Sequence, residues 1–104
     1  MTFRSLLTLA AALAVLPGIA GAADIEAGRA TAEKWCVDCH DIGPDGAFKQ
    51  FPPSFRAISI YRSDEQIRAR VIFPPVHAAM PQLGMMLTPD TIDDLVAYIT
   101  SLDE

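Results

Sequence analysis

The stretch Cys36-Val37-Asp38-Cys39-His40 decides the fold, because it brings two thiols and an imidazole together within five residues. The two cysteines are three positions apart, about one helical turn, and the histidine follows the second directly. They are also the only cysteines in the 104-residue chain. We therefore expect both thiols and the imidazole to engage one group at one site.

The order C-x-x-C-H is the attachment signature of c-type haem, in which the thiols add to two vinyl groups and the imidazole ligates iron. The alternatives are a disulfide, a redox-active thiol pair and a structural zinc site. A redox pair is expected in a βαβ context, and no convincing strand pattern is present. A zinc site would have to recruit both histidines, His40 and His77. The motif predicts one covalent haem c on Cys36 and Cys39.

The first 22 residues are typical of a secretory signal peptide. Arg4 precedes an apolar run at 6–16, Pro17-Gly18 breaks it, and Ala20-Gly21-Ala22 forms a small-x-small cleavage site. A membrane anchor is the alternative, but this run is well short of the roughly 17–25 residues that a spanning helix needs. We expect cleavage to leave residues 23–104 as one domain in the periplasm, and a retained leader would not change that compartment.

Composition narrows the classes of partner. Hydrophobic residues make up 51% of the chain, and 13 acidic residues against 8 basic ones give a net charge of −5. Loss of the leader removes the positive charge of Arg4 and makes the net charge more negative by one. These values argue against disorder and against a nucleic-acid partner, and they favour basic or neutral protein partners. A domain this small usually needs a disulfide, metal or cofactor to complete its core.

Three helices are predicted, separated by proline-rich loops. The first is capped by Asp24 and runs to about Cys36, the second is opened by a capping box at Ser63-Asp64-Glu65-Gln66, and the third by Thr88-Pro89-Asp90. The last helix has a single apolar stripe that must pack on a partner, most simply the first helix. Residues 41–55 are dense in turn-forming residues and are predicted to be a loop.

Together with Met80-Pro81 and Leu95-Val96-Ala97-Tyr98-Ile99, the motif makes the chain resemble the class I cytochromes c from about Asp24 to Leu102. The resemblance implies an all-α cytochrome c fold: three to four helices and loops wrapped around one haem, with the N- and C-terminal helices crossed. It also implies that Gly28 in the first helix meets Tyr98 in the last.

The resemblance further implies that His40 and Met80 are the axial ligands of the iron, Met80 lying in the family's Met-Pro segment before the last helix. Met85, Met86 and His77 are the alternatives for the sixth position. Methionine is flexible apolar fill in many cores, which is the simpler interpretation of Met85 and Met86. Histidine in the sixth position would lower the reduction potential relative to methionine.

By the same resemblance, Pro52-Pro53-Ser54-Phe55 places the Pro53 carbonyl against the ring of His40, where it would fix the ring orientation. The chain departs from the family's Gly-Pro-x-Leu pattern, because Pro52 replaces the glycine. Candidate haem-pocket linings are Trp35, Phe48, Phe55, Tyr61, Phe73 and Leu87, and candidate propionate partners are Arg56, Tyr61 and Arg62.

These features predict a periplasmic carrier of single electrons between a donor and an acceptor protein, acting as a monomer or an enzyme subunit. An enzyme would need an open sixth position and a distal acid or base, so we expect no enzymatic activity. The alternatives are a haem-bearing subunit of a periplasmic dehydrogenase or oxidase complex and a gas-binding haem module. No membrane span is expected in residues 23–104.

Overall fold

The computed structural model describes residues 22–48, 51–75 and 79–104. Four α-helices occur in these ranges, α1 at Ile25–Trp35, α2 at Phe55–Tyr61, α3 at Asp64–Ile72 and α4 at Pro89–Ser101, and a short 3-10 helix spans Leu83–Met85. No strand is present in the described part of the chain, so the predicted all-α class is confirmed. The predicted leader, apart from Ala22, lies outside the described residues.

Side-chain caps start the three predicted helices where the sequence placed them. Asp24 accepts a hydrogen bond from the N–H of Ala27, and Thr88 accepts one from the N–H of Thr91. Ser63 and Gln66 form a reciprocal capping box. These bonds satisfy backbone donors that a helix start leaves unpaired, which is why local sequence alone located the starts.

The first and last helices, α1 and α4, form the main packing contact of the domain. They cross at Gly28, where an added Cβ would lie 1.9 Å from the Asp94 carbonyl oxygen and 2.9 Å from Cβ of Tyr98. The crossing is therefore close enough to require glycine, as the resemblance implied. The N–H of Asp24 also donates to Oδ1 of Asp94 at 2.8 Å, which ties the start of α1 to α4.

Helix α2 was not predicted. Ser54 caps it by accepting from the N–H of Ala57, and Ser54 itself is completely buried. The helix buries Phe55, Ala57 and Ser59, while Ile60 remains 40% exposed. Ala57 lies two positions from each of the other buried residues, so the buried positions do not form the single stripe of an amphipathic helix.

One apolar core joins all four helices and the 3-10 helix. Leu95, Val96, Ile99 and Leu83 are its most deeply buried aliphatic side chains. Ala32 of α1 is completely buried in the same cluster. Within the three described ranges, no helix combines the length and apolarity needed to cross a membrane.

Candidate haem-attachment site

The C-x-x-C-H motif forms a tight turn that continues directly from α1. The N–H of Cys36 still donates to the Ala32 carbonyl, and the N–H groups of Cys39 and His40 both donate to the Cys36 carbonyl, at 3.2 and 2.9 Å. Val37, between the cysteines, is 51% exposed. The turn therefore holds the two cysteines and the histidine in a fixed local geometry at the end of the helix.

Both cysteines are free thiols, Cys36 buried and Cys39 exposed. Burial raises the pKa of Cys36 to about 11, and the charge of Cys39 adds to the rise. A redox-active C-x-x-C pair requires the opposite, a thiol whose pKa is lowered so that it attacks as thiolate near neutral pH. Cys36 remains protonated there, which argues against the thioredoxin-like alternative.

The ring of His40 is fixed by two contacts. Its Nδ1 donates to the Pro53 carbonyl oxygen at 2.6 Å, and the ring lies 5.4 Å from that of Phe55 at 48°. Because a carbonyl oxygen only accepts, Nδ1 carries the proton and Nε2 is left as the nitrogen with a free lone pair. This arrangement is typical of metal-ligating histidines, whose second nitrogen is oriented by a backbone carbonyl.

The loop after His40 is held against α2 and α4 by three hydrogen bonds that sequence reasoning did not find. The N–H of Phe55 donates to the Asp41 carbonyl at 2.9 Å, and the hydroxyl of Tyr98 donates to the Ile42 carbonyl at 2.7 Å. Arg56, a candidate propionate partner, donates instead to the Pro44 carbonyl at 3.2 Å. All three hydrogen bonds link residues at least 12 positions apart, so no local sequence pattern predicts them.

Met80 is half-buried and packs against the core. The segment that follows Met80 is anchored by two residues. Leu83 is 2% exposed, and an added Cβ at Gly84 would lie 2.9 Å from backbone atoms of Ile72. Met85 and Met86 are 88% and 53% exposed. His77, the remaining candidate ligand, lies outside the described residues.

The candidate pocket linings divide into buried and exposed groups. Phe55 is buried against His40, and Leu87 is half-buried. Phe48 and Tyr61 form an edge-to-face pair at 6.2 Å, yet both are more than half exposed, and Phe73 is 77% exposed. The rings of Phe48 and Tyr61 form an exposed aromatic pair, and contiguous exposed apolar patches mark binding surfaces. They fit the apolar faces of a porphyrin, as the two thiols and the free Nε2 fit its vinyl groups and iron.

Trp35 is the remaining candidate for the haem-pocket lining. Trp35 is 37% exposed, and the ammonium of Lys34 lies 5.1 Å from the centre of its ring. Within residues 22–48, 51–75 and 79–104, no group of three or more His, Cys, Asp or Glu side chains is arranged to hold a metal ion directly.

An all-helical fold with crossed terminal helices and a C-x-x-C-H turn whose histidine is fixed through Nδ1 defines the class of c-type cytochromes. A family model described as cytochrome c oxidase, cbb3-type, subunit III matches residues 23–99. The chain belongs to this family, and membership implies covalently bound haem c and haem-based electron transfer. No curated protein and no solved structure matches the chain.

Proposed function

We propose that the chain is a periplasmic carrier that passes single electrons between a donor and an acceptor protein. The observation that carries the proposal is the 2.6 Å contact between Nδ1 of His40 and the Pro53 carbonyl, beside two free thiols. It leaves Nε2 of His40 as the ring nitrogen that can bind iron. When bound, haem supplies an iron centre that gains and loses one electron without substrate chemistry.

In this proposal Cys36 and Cys39 hold the haem covalently and His40 is the fifth ligand. The Pro53 carbonyl makes the imidazole a better donor, because a hydrogen bond from Nδ1 raises the electron density of the ring. The turn geometry supports these roles, since Cys39 and His40 both hydrogen-bond to the same carbonyl of Cys36. Phe55 packs on the ring and helps to fix its orientation.

Met80 is proposed as the sixth ligand. A ligand to an enclosed iron must come from a partly buried position, and Met80 packs against the core whereas Met85 is 88% exposed. The anchoring of Leu83 and Gly84 against α3 supports a fixed loop at this point. A thioether in the sixth position favours ferrous iron and raises the reduction potential.

The test is an absorption spectrum of the holoprotein, made in a host that matures c-type cytochromes, oxidised with ferricyanide and scanned from the Soret region into the far red. We expect a Soret peak and the weak far-red sulfur-to-iron band. Met80→Ala should lose that band and bind cyanide readily, while Met85→Ala, the matched control, should retain it.

An unchanged far-red band in Met80→Ala would show that Met80 is not the ligand. A Soret peak without the band in the unaltered protein would indicate His77 or an open sixth position. Absence of any Soret peak would return Cys36 and Cys39 to the disulfide interpretation, which a mass measurement under reducing and non-reducing conditions would reveal.

The proposed compartment rests on the leader. We expect the mature protein to begin at Ala23, after cleavage behind Ala20-Gly21-Ala22. Intact mass spectrometry of the periplasmic fraction should give the mass of residues 23–104 plus one haem. A mass that includes the leader, found in the membrane fraction, would instead indicate an N-terminal anchor.

A second candidate function is favoured by the family description, which names a subunit of a cbb3-type oxidase. In that case the domain would be a permanently docked electron-transfer subunit with the same haem chemistry. Native size-exclusion chromatography of a gentle extract distinguishes the two. A free carrier elutes as one small species, whereas a subunit elutes with a large haem-containing complex.

The acidic surface supports a partner with a basic or neutral docking face, since the chain carries a net charge of −5. Electron-transfer contacts are small, so long-range charge strongly affects their association rate. With a basic partner, the rate of electron transfer should fall as salt increases. A rate that rises with salt would show that like charges face each other.

A further inference from the structure

The turn that follows the haem motif packs unusually closely against the segment that holds the iron ligand. It is closed by a hydrogen bond from the N–H of Gly46 to the Gly43 carbonyl at 3.3 Å. Its last residue, Gly46, faces Ser54, which is completely buried and directly follows Pro53. The turn therefore packs directly against the residue that follows the acceptor for the His40 ring.

Only glycine fits at position 46. A Cβ there would lie 2.8 Å from Cβ of Ser54, 3.2 Å from Cβ of Asp41 and 3.4 Å from the Asp41 carbonyl oxygen. These neighbours lie close to the backbone, so none can rotate away as the end of a long side chain would. At Gly43, in the same turn, an added Cβ would meet nothing within 4 Å.

The segment that Gly46 contacts has little freedom. Ser54 caps α2 through the N–H of Ala57, and its own carbonyl accepts from the N–H of Ile58. The N–H of Phe55 donates to the Asp41 carbonyl. A displacement of Ser54 would therefore be passed to its other covalent neighbour, Pro53, whose carbonyl is the acceptor for the His40 ring.

We propose that Gly46 is a positioning residue for the iron ligand. Its missing side chain lets the turn rest on Ser54 and hold the Pro53 carbonyl against Nδ1 of His40, and this contact contributes to the reduction potential. The inference rests on the proposed function, since it requires His40 to bind haem iron. It assigns a functional role to a glycine that lies six positions from the ligand and whose added Cβ would meet Ser54 and Asp41 first.

The direction of the effect follows from the hydrogen bond. Donation from Nδ1 to a carbonyl increases the basicity of the imidazole and favours ferric iron. A side chain at position 46 would push Ser54 outward, lengthen the bond from His40 to Pro53 and make the imidazole a weaker donor. The reduction potential should therefore shift to a more positive value.

The experiment compares Gly46→Ala with Gly43→Ala in the full holoprotein. Both substitutions remove a glycine from the same turn, so they should reduce the entropy of the unfolded chain alike. Neither position has a left-handed φ, so alanine introduces no backbone strain at either one. The reduction potential is measured by spectroelectrochemistry. Solvent exchange of the His40 Nδ1 proton is measured by NMR of the reduced protein, because a merely structural role would leave that proton protected.

A double-mutant cycle completes the test. Ser54→Gly removes the nearest clashing atom, so Gly46→Ala should shift the potential strongly in the unaltered background and much less in the Ser54→Gly background. If Gly46→Ala yields no holoprotein, the double variant decides. Recovery of haem at the potential of Ser54→Gly supports the proposal, and failure to recover contradicts it.

We expect a positive potential shift and faster Nδ1 proton exchange in Gly46→Ala, with neither change in Gly43→Ala. Equal potentials and equal exchange rates in the two variants would overturn the role of Gly46. Failure of the proposed function would be seen separately, because the unaltered protein itself would then lack the Soret peak.

Discussion

Gly28→Ala tests the crossing of α1 and α4, because intrinsic propensity and packing predict opposite signs for it. Alanine in place of glycine stabilises a helix interior by about 1 kcal/mol. In this structure, however, the new Cβ would lie 1.9 Å from the Asp94 carbonyl oxygen and 2.5 Å from its carbonyl carbon. The clash is with backbone, so no rotamer change relieves it.

The size of the effect follows from the distance. Close C···O contacts occur at about 3.3 Å, so the helices must separate locally by roughly 1.4 Å. A gap of 0.5–1 Å between packed atoms already loses about a quarter to a half of their dispersion attraction. Because the separation here is larger, we expect a cost near the upper end of the roughly 1–3 kcal/mol that is typical of overpacking. After the propensity gain, the net loss is about 2 kcal/mol.

Thermal unfolding of the holoprotein, followed by far-ultraviolet circular dichroism, measures this loss. For a domain of this size about 2 kcal/mol corresponds to a decrease in Tm of roughly 8–16 °C. Ala30→Gly, at an exposed position of the same helix, is the control and should lose about 1 kcal/mol through propensity alone. An unchanged or higher Tm for Gly28→Ala would refute the close crossing.

Three further substitutions test other contacts. Tyr98→Phe removes the donor to the Ile42 carbonyl and should lower the free energy of unfolding by about 1–2 kcal/mol in denaturant titrations. Burial raises the pKa of the Tyr98 hydroxyl, so the neutral hydroxyl contributes to the free energy of unfolding fully below pH about 10. That contribution is lost as the pH rises through the higher pKa of the folded state, and the variant should lack this alkaline decrease in stability. Gly84→Ala would place a Cβ 2.9 Å from the Ile72 backbone and should loosen the proposed ligand loop, which would be observed as faster imidazole binding to the ferric protein; an unchanged rate contradicts the anchoring. Ser63→Ala removes the cap of α3 and should lower stability by about 1 kcal/mol in thermal melts, with no change in the far-red band.

Local chemistry explains why much of the fold was predictable. A helix start is decided by a few adjacent residues, and Asp24, Ser63 and Thr88 all cap as their sequence context indicated. The apolar stripe of α4 likewise required a partner, and α1 provides it. Each of these features depends on spacings of three or four residues, which can be read without knowing the rest of the structure.

Helix α2 shows where such spacing is insufficient. Phe55, Ala57 and Ser59 are buried at every second position, and Ile60 is exposed. A short helix enclosed on several sides, by the loop after His40 and by α4, has no single apolar face. Its cap at Ser54 was present in the sequence but followed a cluster of prolines that indicated only a loop.

The candidate site was likewise predictable only in part. The motif predicted Cys36, Cys39 and His40 as a unit, and the resemblance predicted the contact between His40 and Pro53, which the structure contains. The residues that support that contact, Gly46 against Ser54 and Phe55 bonded to Asp41, are distant in sequence and of ordinary type. Their importance comes from close approach, which only three-dimensional structure reveals.

The pairing of α1 with α4 also determines what rearrangements of the chain the fold should tolerate. Ala23 and Glu104 line the same open groove, so a short linker joining them would leave the crossing intact. A circular permutant opened at the exposed Arg62-Ser63 junction would turn the longest-range contact of the domain into a short-range one. Lower contact order accelerates folding, and stopped-flow refolding of the permutant should therefore be faster than that of the natural order.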